Sequence, residues 1–364
     1  MNINSEEYRF IEGGITAPAE FVISGVNIDG KDDIEKNNLG LVFSKSPCVA
    51  ACICSENKAE NFSQRLTKEN LKNHKAQALL FNCNSSNVMN ENGYDDIKSV
   101  TGELAKALDI PASDIIANSS GPLFVPLNAE AVTAMLPKLV DDLFYDKISE
   151  AANAMSQNSD CVYESAVEFT VSGVISKVGV LANPENPAFF IITSDISIEP
   201  CLLEKALIKA KESTVDCARL SDIKSAGDIM VIMASGMAGN DKVIHQNRDY
   251  EIFLNAVSLC LYDILEQMTS FMSVCMGAPD EDVALEIAKA VSKNALSTED
   301  IITCLGTADY ETDFSKLVLK AADKENIVTL FENGVPTESD GKLDICKIFI
   351  DLGDGDDAAI YYVR

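Results

Sequence analysis

Four aspartates near the end of the chain, Asp351, Asp354, Asp356 and Asp357, are the densest group of side chains that could hold a hard cation, since such ions take clustered oxygen ligands. Their spacing does not fit the common calcium loop. Gly353 and Gly355 between them point instead to a tight turn, where Gly and Asp tolerate positive φ. Nucleophilic catalysis by a Cys/His pair would need one of the eleven cysteines to meet His74 or His245, and nothing local supports either pairing. Cys48, Cys52 and Cys54 contain no C-x-x-C pair and no neighbouring histidine, so they read as small hydrophobes, and no metal is expected. Gly236-Met237-Ala238-Gly239 lacks the dinucleotide spacing, and no phosphate-cradling G-x-x-x-x-G-K loop occurs. Asn84-Ser85-Ser86 and Asn118-Ser119-Ser120 match glycosylation sequons but are expected to form turns.

The elements that must position these residues alternate between strand and helix patterns. Leu39 to Phe43, Ala78 to Phe81, Phe189 to Ile192 and Ile229 to Ala234 are short apolar runs expected as buried strands. Asp95-Asp96 can cap a helix with Ile97, Val100, Leu104 and Leu108 on one face, ending before Pro111. Leu202, Leu203, Ala206, Leu207 and Ala210 mark a second helix, and Phe253, Val257, Leu261, Ile264 and Met268 a longer third. Gly277-Ala278-Pro279-Asp280 combines turn residues with a helix N-cap and is taken as the domain boundary, giving a main domain over 1–276 and a smaller α/β domain over 277–364. Ile348 to Leu352, the Gly/Asp run and Ala358 to Val363 read as strand, tight turn, strand.

Composition bounds the partners. The chain has 364 residues with a formal charge of −28, 47% hydrophobic and 24% charged residues, enough apolar content for about two folded domains. Such an anionic surface repels phosphate backbones and anionic headgroups, so neither nucleic acid nor membrane is an expected partner. Met1 to Glu7 lacks the basic start and apolar run of a secretory signal, and no apolar stretch nears the roughly 18 residues of a membrane span, which points to the cytoplasm.

Seven short blocks occur in an order that resembles the ornithine acetyltransferase family, the bifunctional glutamate N-acetyltransferases of arginine biosynthesis. They are Gly13 to Pro18 with Phe21 and Ser24 to Val26; Ala50 to Cys54 with Asn57; Phe81 to Asn87; Leu108 to Pro111 with Ile115 to Gly121 and Pro126-Leu127; Ile191 to Asp195; Gly277-Ala278 through Ala288-Lys289; and Asp351 to Gly355. The resemblance implies a layered α/β fold of the N-terminal-nucleophile type. A precursor of this type cuts itself before a threonine, which then serves as nucleophile with its own freed amine as base. It also implies acetyl transfer from N-acetylornithine to glutamate, a small amino-acid-like ligand, no resident cofactor and association of chains.

Aligned without gaps between Gly179 and Asp195, this sequence has Pro187 where the family has its threonine, and proline has neither hydroxyl nor amide N–H. No Ser, Thr or Cys lies between Ser176 and Thr193 to replace it. By resemblance, Ser120 and Gly121 hold the oxyanion positions, and Ser159 and Lys177 are the substrate-contact candidates, Lys177 lying one place from the family's lysine position at Ser176. Ser270 to Ser273 replaces an acidic substrate-contacting run, the segment around Tyr310 to Phe314 departs from the family pattern, and Arg364 ends the chain before the family's terminal asparagine and threonine. The expectation is a non-cleaving, catalytically silent member that assembles with itself or with an active paralogue. The alternatives are an acyltransferase with an unconventional site, using Ser120 or a cysteine, and an amidase or hydrolase on the same scaffold.

Overall fold

The computed structural model describes residues 7–29, 37–155, 162–184, 187–216, 225–268, 271–294, 298–322, 327–337 and 347–363. It divides into two compact units, Met1–Lys211 with Leu220–Ile264, and Glu212–Arg219 with Leu265–Arg364.

The first unit is built on a nine-stranded mixed sheet. Its strands are β1 (Tyr8–Phe10), β2 (Phe21–Val26), β3 (Leu39–Cys54), β4 (Lys75–Asn82), β5 (Ile115–Ser119), β6 (Tyr163–Val171), β7 (Val174–Asn183), β8 (Phe189–Ser194) and β9 (Ile229–Ala234). They run in the order β1-β6-β7-β8-β9-β3-β4-β5, with β2 paired to β3. β3 joins the two halves: its first residues pair with β2 and β4, and Val49 to Cys54 pair with β9. Every residue of β8 and β9 is buried. The two strands are parallel neighbours, which explains their unbroken apolar sequences, since a central parallel strand has no solvent face.

Helices α1 (Phe62–Asn70), α2 (Gly93–Leu108), α3 (Ala129–Asp141), α4 (Ile148–Ala152), α5 (Pro200–Lys211) and α6 (Arg248–Gln267) follow. α1 starts where Asn61 Oδ1 accepts from the amides of Ser63 at 3.0 Å and Gln64 at 3.2 Å. α2 begins two residues before the expected capping pair, so Asp95 and Asp96 lie in its first turn, where their charge favours the helix N-terminus. Its buried Ile97, Val100 and Leu104 join Leu80, Ile115 and Leu136 in one apolar cluster.

The second unit holds a six-stranded sheet with β10 (Phe271–Ala278), β11 (Val318–Ala322), β12 (Ile327–Glu332), β13 (Val335–Pro336), β14 (Lys347–Asp351) and β15 (Asp357–Val363). Helices α7 (Glu281–Asn294) and α8 (Thr298–Thr307) contribute buried Ile287, Val291, Ile301 and Leu305 to its core. Two expectations are corrected here. Gly277-Ala278 does not open this unit; it ends β10, which runs between β14 and β15, so the division falls near Leu265. Asp280 does cap α7, its Oδ1 accepting from Val283 N at 2.9 Å.

The terminal strand-turn-strand is also not a hairpin. β14 pairs parallel to β10 and β15 antiparallel to β10 on the other side, so the intervening chain crosses the end of β10. Asp354 N donates to Gly277 O at 2.8 Å, and a Cβ at Gly355 would lie 2.0 Å from Ala278 O. The Gly/Asp composition that suits a tight turn also suits this close crossing. Asp354 is held by Tyr310 Oη at 2.6 Å and Lys316 Nζ at 3.4 Å, and the hydrogen bond to Asp354, followed by burial and the Asp354 charge, pushes the Tyr310 phenol up to about 12. Among the described residues, no three His, Cys, Asp or Glu side chains gather closely enough to hold a metal ion. Nor is any helix among them long and apolar enough to cross a membrane.

Candidate functional site

Three chain segments meet at the edge of the first unit's buried strands: Pro187 and Ala188 leading into β8, Gly227 and Asp228 leading into β9, and Ser119 to Gly121 leaving β5. The lead-ins to β8 and β9 are tied through one carboxylate. Asp228 Oδ1 accepts from Ala188 N at 2.8 Å and Oδ2 from Ser225 N at 2.8 Å, while Ile229 N donates to Ala188 O at 2.9 Å. A Cβ at Gly227 would stand 3.0 Å from Pro187 Cβ and 3.4 Å from Ser119 O, so all three segments converge on the space that this glycine leaves. The structure therefore brings the position of the expected nucleophile beside the segment expected to supply its oxyanion donors.

Those donors are already engaged. The amide of Ser120 donates to Asn82 O at 2.9 Å, and its hydroxyl reaches Asn82 O and Met155 O, both at 3.1 Å. Gly121 N donates to Ser85 O at 3.1 Å, and a Cβ at Gly121 would come within 2.3 Å of Ser85 N, so that position is a close backbone crossing. A donor already paired with a carbonyl must break that bond before it can receive a developing negative charge, which reduces its value as an oxyanion donor.

Beneath the segment lies a buried polar network that the sequence reading did not single out. Asn61 Nδ2 donates to Ser119 O at 2.8 Å, Ser63 and Ser119 share a hydroxyl bond at 2.7 Å, and Asn82 Nδ2 reaches Ser119 Oγ at 2.8 Å. Gln64 Nε2 bridges Asn118 Oδ1 at 3.1 Å and Asp228 O at 3.0 Å, linking α1 and β5 to the approach to β9. Asn118 and Ser119 are thus interior strand residues and not the turn that their sequon suggested. The available signal was Asn61 standing immediately before an amphipathic helix carrying Ser63 and Gln64. Two more buried polar atoms of the neighbouring loop, Asn84 Oδ1 and Ser86 Oγ, have no partner among the described residues.

The remaining predicted residues are not gathered here. Lys177 lies on β7 opposite the far end of β8 from Pro187, where its amide donates to Asp195 Oδ1 at 2.7 Å and Ser194 Oγ donates to its carbonyl at 2.7 Å. Burial raises Asp195 above the usual carboxylate range despite the bonds from Lys177 and Ala19. Ser176 is buried, with a hydroxyl that has no partner among the described residues. Ser159 falls outside the described residues, as does Ser270. Burial pushes the thiols of Cys48 and Cys83 each up to about 12, which disfavours them as nucleophiles. His245 is exposed, and His74 occupies a left-handed turn after α1.

The chain has relatives among known proteins. The chain is 28% identical to an arginine biosynthesis bifunctional protein ArgJ of Caldanaerobacter subterraneus subsp. tengcongensis, over 90% of this chain and 87% of that protein. It is 24% identical to a glutamate N-acetyltransferase of Methanocaldococcus jannaschii, over 97% of this chain and 96% of that protein. A crystal structure of an ArgJ from Bacillus halodurans is similar over 48% of this chain and 92% of its own, with 21% identity and a TM-score of 0.44. The model of the ArgJ family matches residues 22–363, and the chain belongs to that family.

Proposed function

We propose that this chain is an ArgJ-family member that stays uncut and carries no acetyl-transfer activity by the threonine route. The observation that carries this reading is Pro187, which stands beside Ser119 and Gly227 at the entrance to β8. Proline supplies no hydroxyl for attack on the preceding carbonyl and no primary amine to act as base. The committed hydrogen bonds of Ser120 and Gly121 support the same conclusion, because the flanking donors are spent on holding the loop. What the family scaffold retains is then a cytoplasmic binding or assembly role. Its ligand would be a small amino-acid-like molecule such as N-acetylornithine or glutamate, and its partner a second copy of itself or an active relative.

The relatives' names set the reaction to test. Purified protein should run as one full-length band on a denaturing gel, and incubation with N-acetylornithine and glutamate should give no ornithine above the blank. Two fragments would overturn the uncut reading. Ornithine production abolished by Ser120→Ala would replace silence with an unconventional acyltransferase.

A further inference from the structure

Cys52 and Cys54 stand two positions apart at the end of β3, so both project from the same face of the strand. Their sulfurs approach to 3.5 Å. Both are half-buried, whereas Cys48, Cys83, Cys260 and Cys275 are buried. A bond between them requires the sulfurs to close by about 1.5 Å, a movement that a strand end allows more readily than a strand centre. Pairing of β3 with β4 has already ended at Val49, leaving Cys54 beside Ile229 of β9.

The two thiols are unequal. The hydrogen bond that the two sulfurs share lowers Cys54 below the ordinary thiol range, with the Lys68 ammonium adding to the effect against burial, and the same bond raises Cys52. This is the asymmetry of an attacking and a resolving thiol.

Lys68 also lines a cavity of about 320 Å³ that begins next to Cys54 at Ser55, and the charged groups around it are Lys58, Arg65, Lys68 and Lys72 against Glu60 and Glu69. Arg65 is engaged by Glu69 at 3.3 Å and Glu60 at 3.7 Å and lies over the Tyr94 ring. Lys58, Lys68 and Lys72 form no ion pair among the described residues. In a chain of formal charge −28, three such lysines around one hollow make a local attractor for anions.

We propose that this corner is a thiol-exchange site for small disulfides that carry carboxylates. The cationic cavity takes the carboxylates and the dithiol takes the sulfur. Cys54 thiolate attacks one sulfur of R–S–S–R, forming a mixed disulfide and releasing R–S⁻, which is protonated by solvent. Cys52 then gives its proton to solvent and attacks the Cys54 sulfur, forming the Cys52–Cys54 bond and expelling the second R–S⁻, which is protonated in turn. Two protein thiols are oxidised and the small disulfide is reduced to two thiols.

The full-length protein is exposed to glutathione disulfide as the anionic probe or cystamine as the cationic one, alkylated, digested with trypsin and weighed by mass spectrometry. The peptide Ser46–Lys58 contains Cys48, Cys52 and Cys54. After glutathione disulfide it should be lighter by two hydrogens and take up a single alkyl group. Cys52→Ser should trap glutathione on Cys54, and Cys54→Ser should give neither adduct nor bond. At low salt, glutathione disulfide should react about tenfold faster than cystamine, and Lys58→Glu with Lys72→Glu should reverse that order. A wild-type peptide that still takes up three alkyl groups, or one bridged through Cys48, would overturn the exchange site. Equal rates with both probes would overturn the anionic ligand class. Neither wild-type measurement depends on a variant folding.

Discussion

The carboxylate of Asp228 holds the amide of Ala188 at 2.8 Å, so the residue that follows Pro187 is fixed by the lead-in to the neighbouring strand. The other oxygen of the same carboxylate accepts from Ser225 N at 2.8 Å. Hydrogen bonds to a charged acceptor are worth about 1.5–3 kcal/mol each when removal leaves the donors unpaired. Asp228→Ala is therefore expected to lower unfolding free energy by about 2–4 kcal/mol, allowing for partial solvent access, while Asp228→Asn retains one acceptor and should lose about half as much. Urea denaturation checks both. Equal stability of Asp228→Ala and wild type would remove this carboxylate from the account of the site.

Gly121 and Gly102 make opposite predictions from the same substitution. A Cβ at Gly121 meets Ser85 N at 2.3 Å and Cys83 O at 2.5 Å, backbone atoms that move only with their loop, so Gly121→Ala should cost about 2–3 kcal/mol. Gly102 lies within α2 with nothing inside 4 Å of its Cβ position, and Gly102→Ala should stabilise by about 0.5–1 kcal/mol through lost unfolded-state freedom. Denaturation midpoints compared at constant slope would separate the two effects.

The apolar runs of β8 and β9 were legible because central parallel strands leave no polar face, and α2, α5 and α6 because each buries one stripe. The expectation placed on Pro187 rests on covalent structure alone, since proline has neither a side-chain hydroxyl nor an amide N–H. What the sequence hid was pairing at a distance. Nothing local in Asp351 to Asp357 says that β10, some seventy residues earlier, lies between the flanking strands. The Asn61, Ser63 and Gln64 network is likewise assembled from α1, β4, β5 and the approach to β9, each contributing residue types common in ordinary turns. Cys52 and Cys54 read as small hydrophobes and both do pack against the core cluster, but the sequence did not show that their sulfurs meet at 3.5 Å.

Glu164 predicts a pH effect. Burial first, and the Glu12 charge second, raise its carboxyl above the usual range. A carboxyl raised in the folded state favours folding when protonated, so its contribution is present below the unfolded value and is lost as pH rises through the folded value. Glu164→Gln, which cannot ionise, should melt above wild type near neutral pH, with the gap narrowing as pH falls into the acidic range. A gap that widens toward acid would reverse the assigned sign. The pair should be compared by thermal melting at fixed ionic strength, because the Glu12 contribution is screened by salt.

Pro187→Thr tests the proposal that the missing side chain is what keeps this chain uncut. The substitution returns a hydroxyl to the entrance of β8, beside Ser119 O and Gly227. Attack on the preceding carbonyl would still place negative charge on its oxygen, and the neighbouring donors are occupied: Ser120 N–H by Asn82 O, Gly121 N–H by Ser85 O and the Ser120 hydroxyl by Asn82 O and Met155 O. Removing a single oxyanion donor from a working centre costs about a hundredfold to a thousandfold in rate, and here none of the three is free. The variant should therefore remain one band on a denaturing gel after prolonged incubation. If it instead yields two fragments cut before residue 187, the loop must be able to release its donors, and Pro187 by itself would be the feature behind the proposed uncut state.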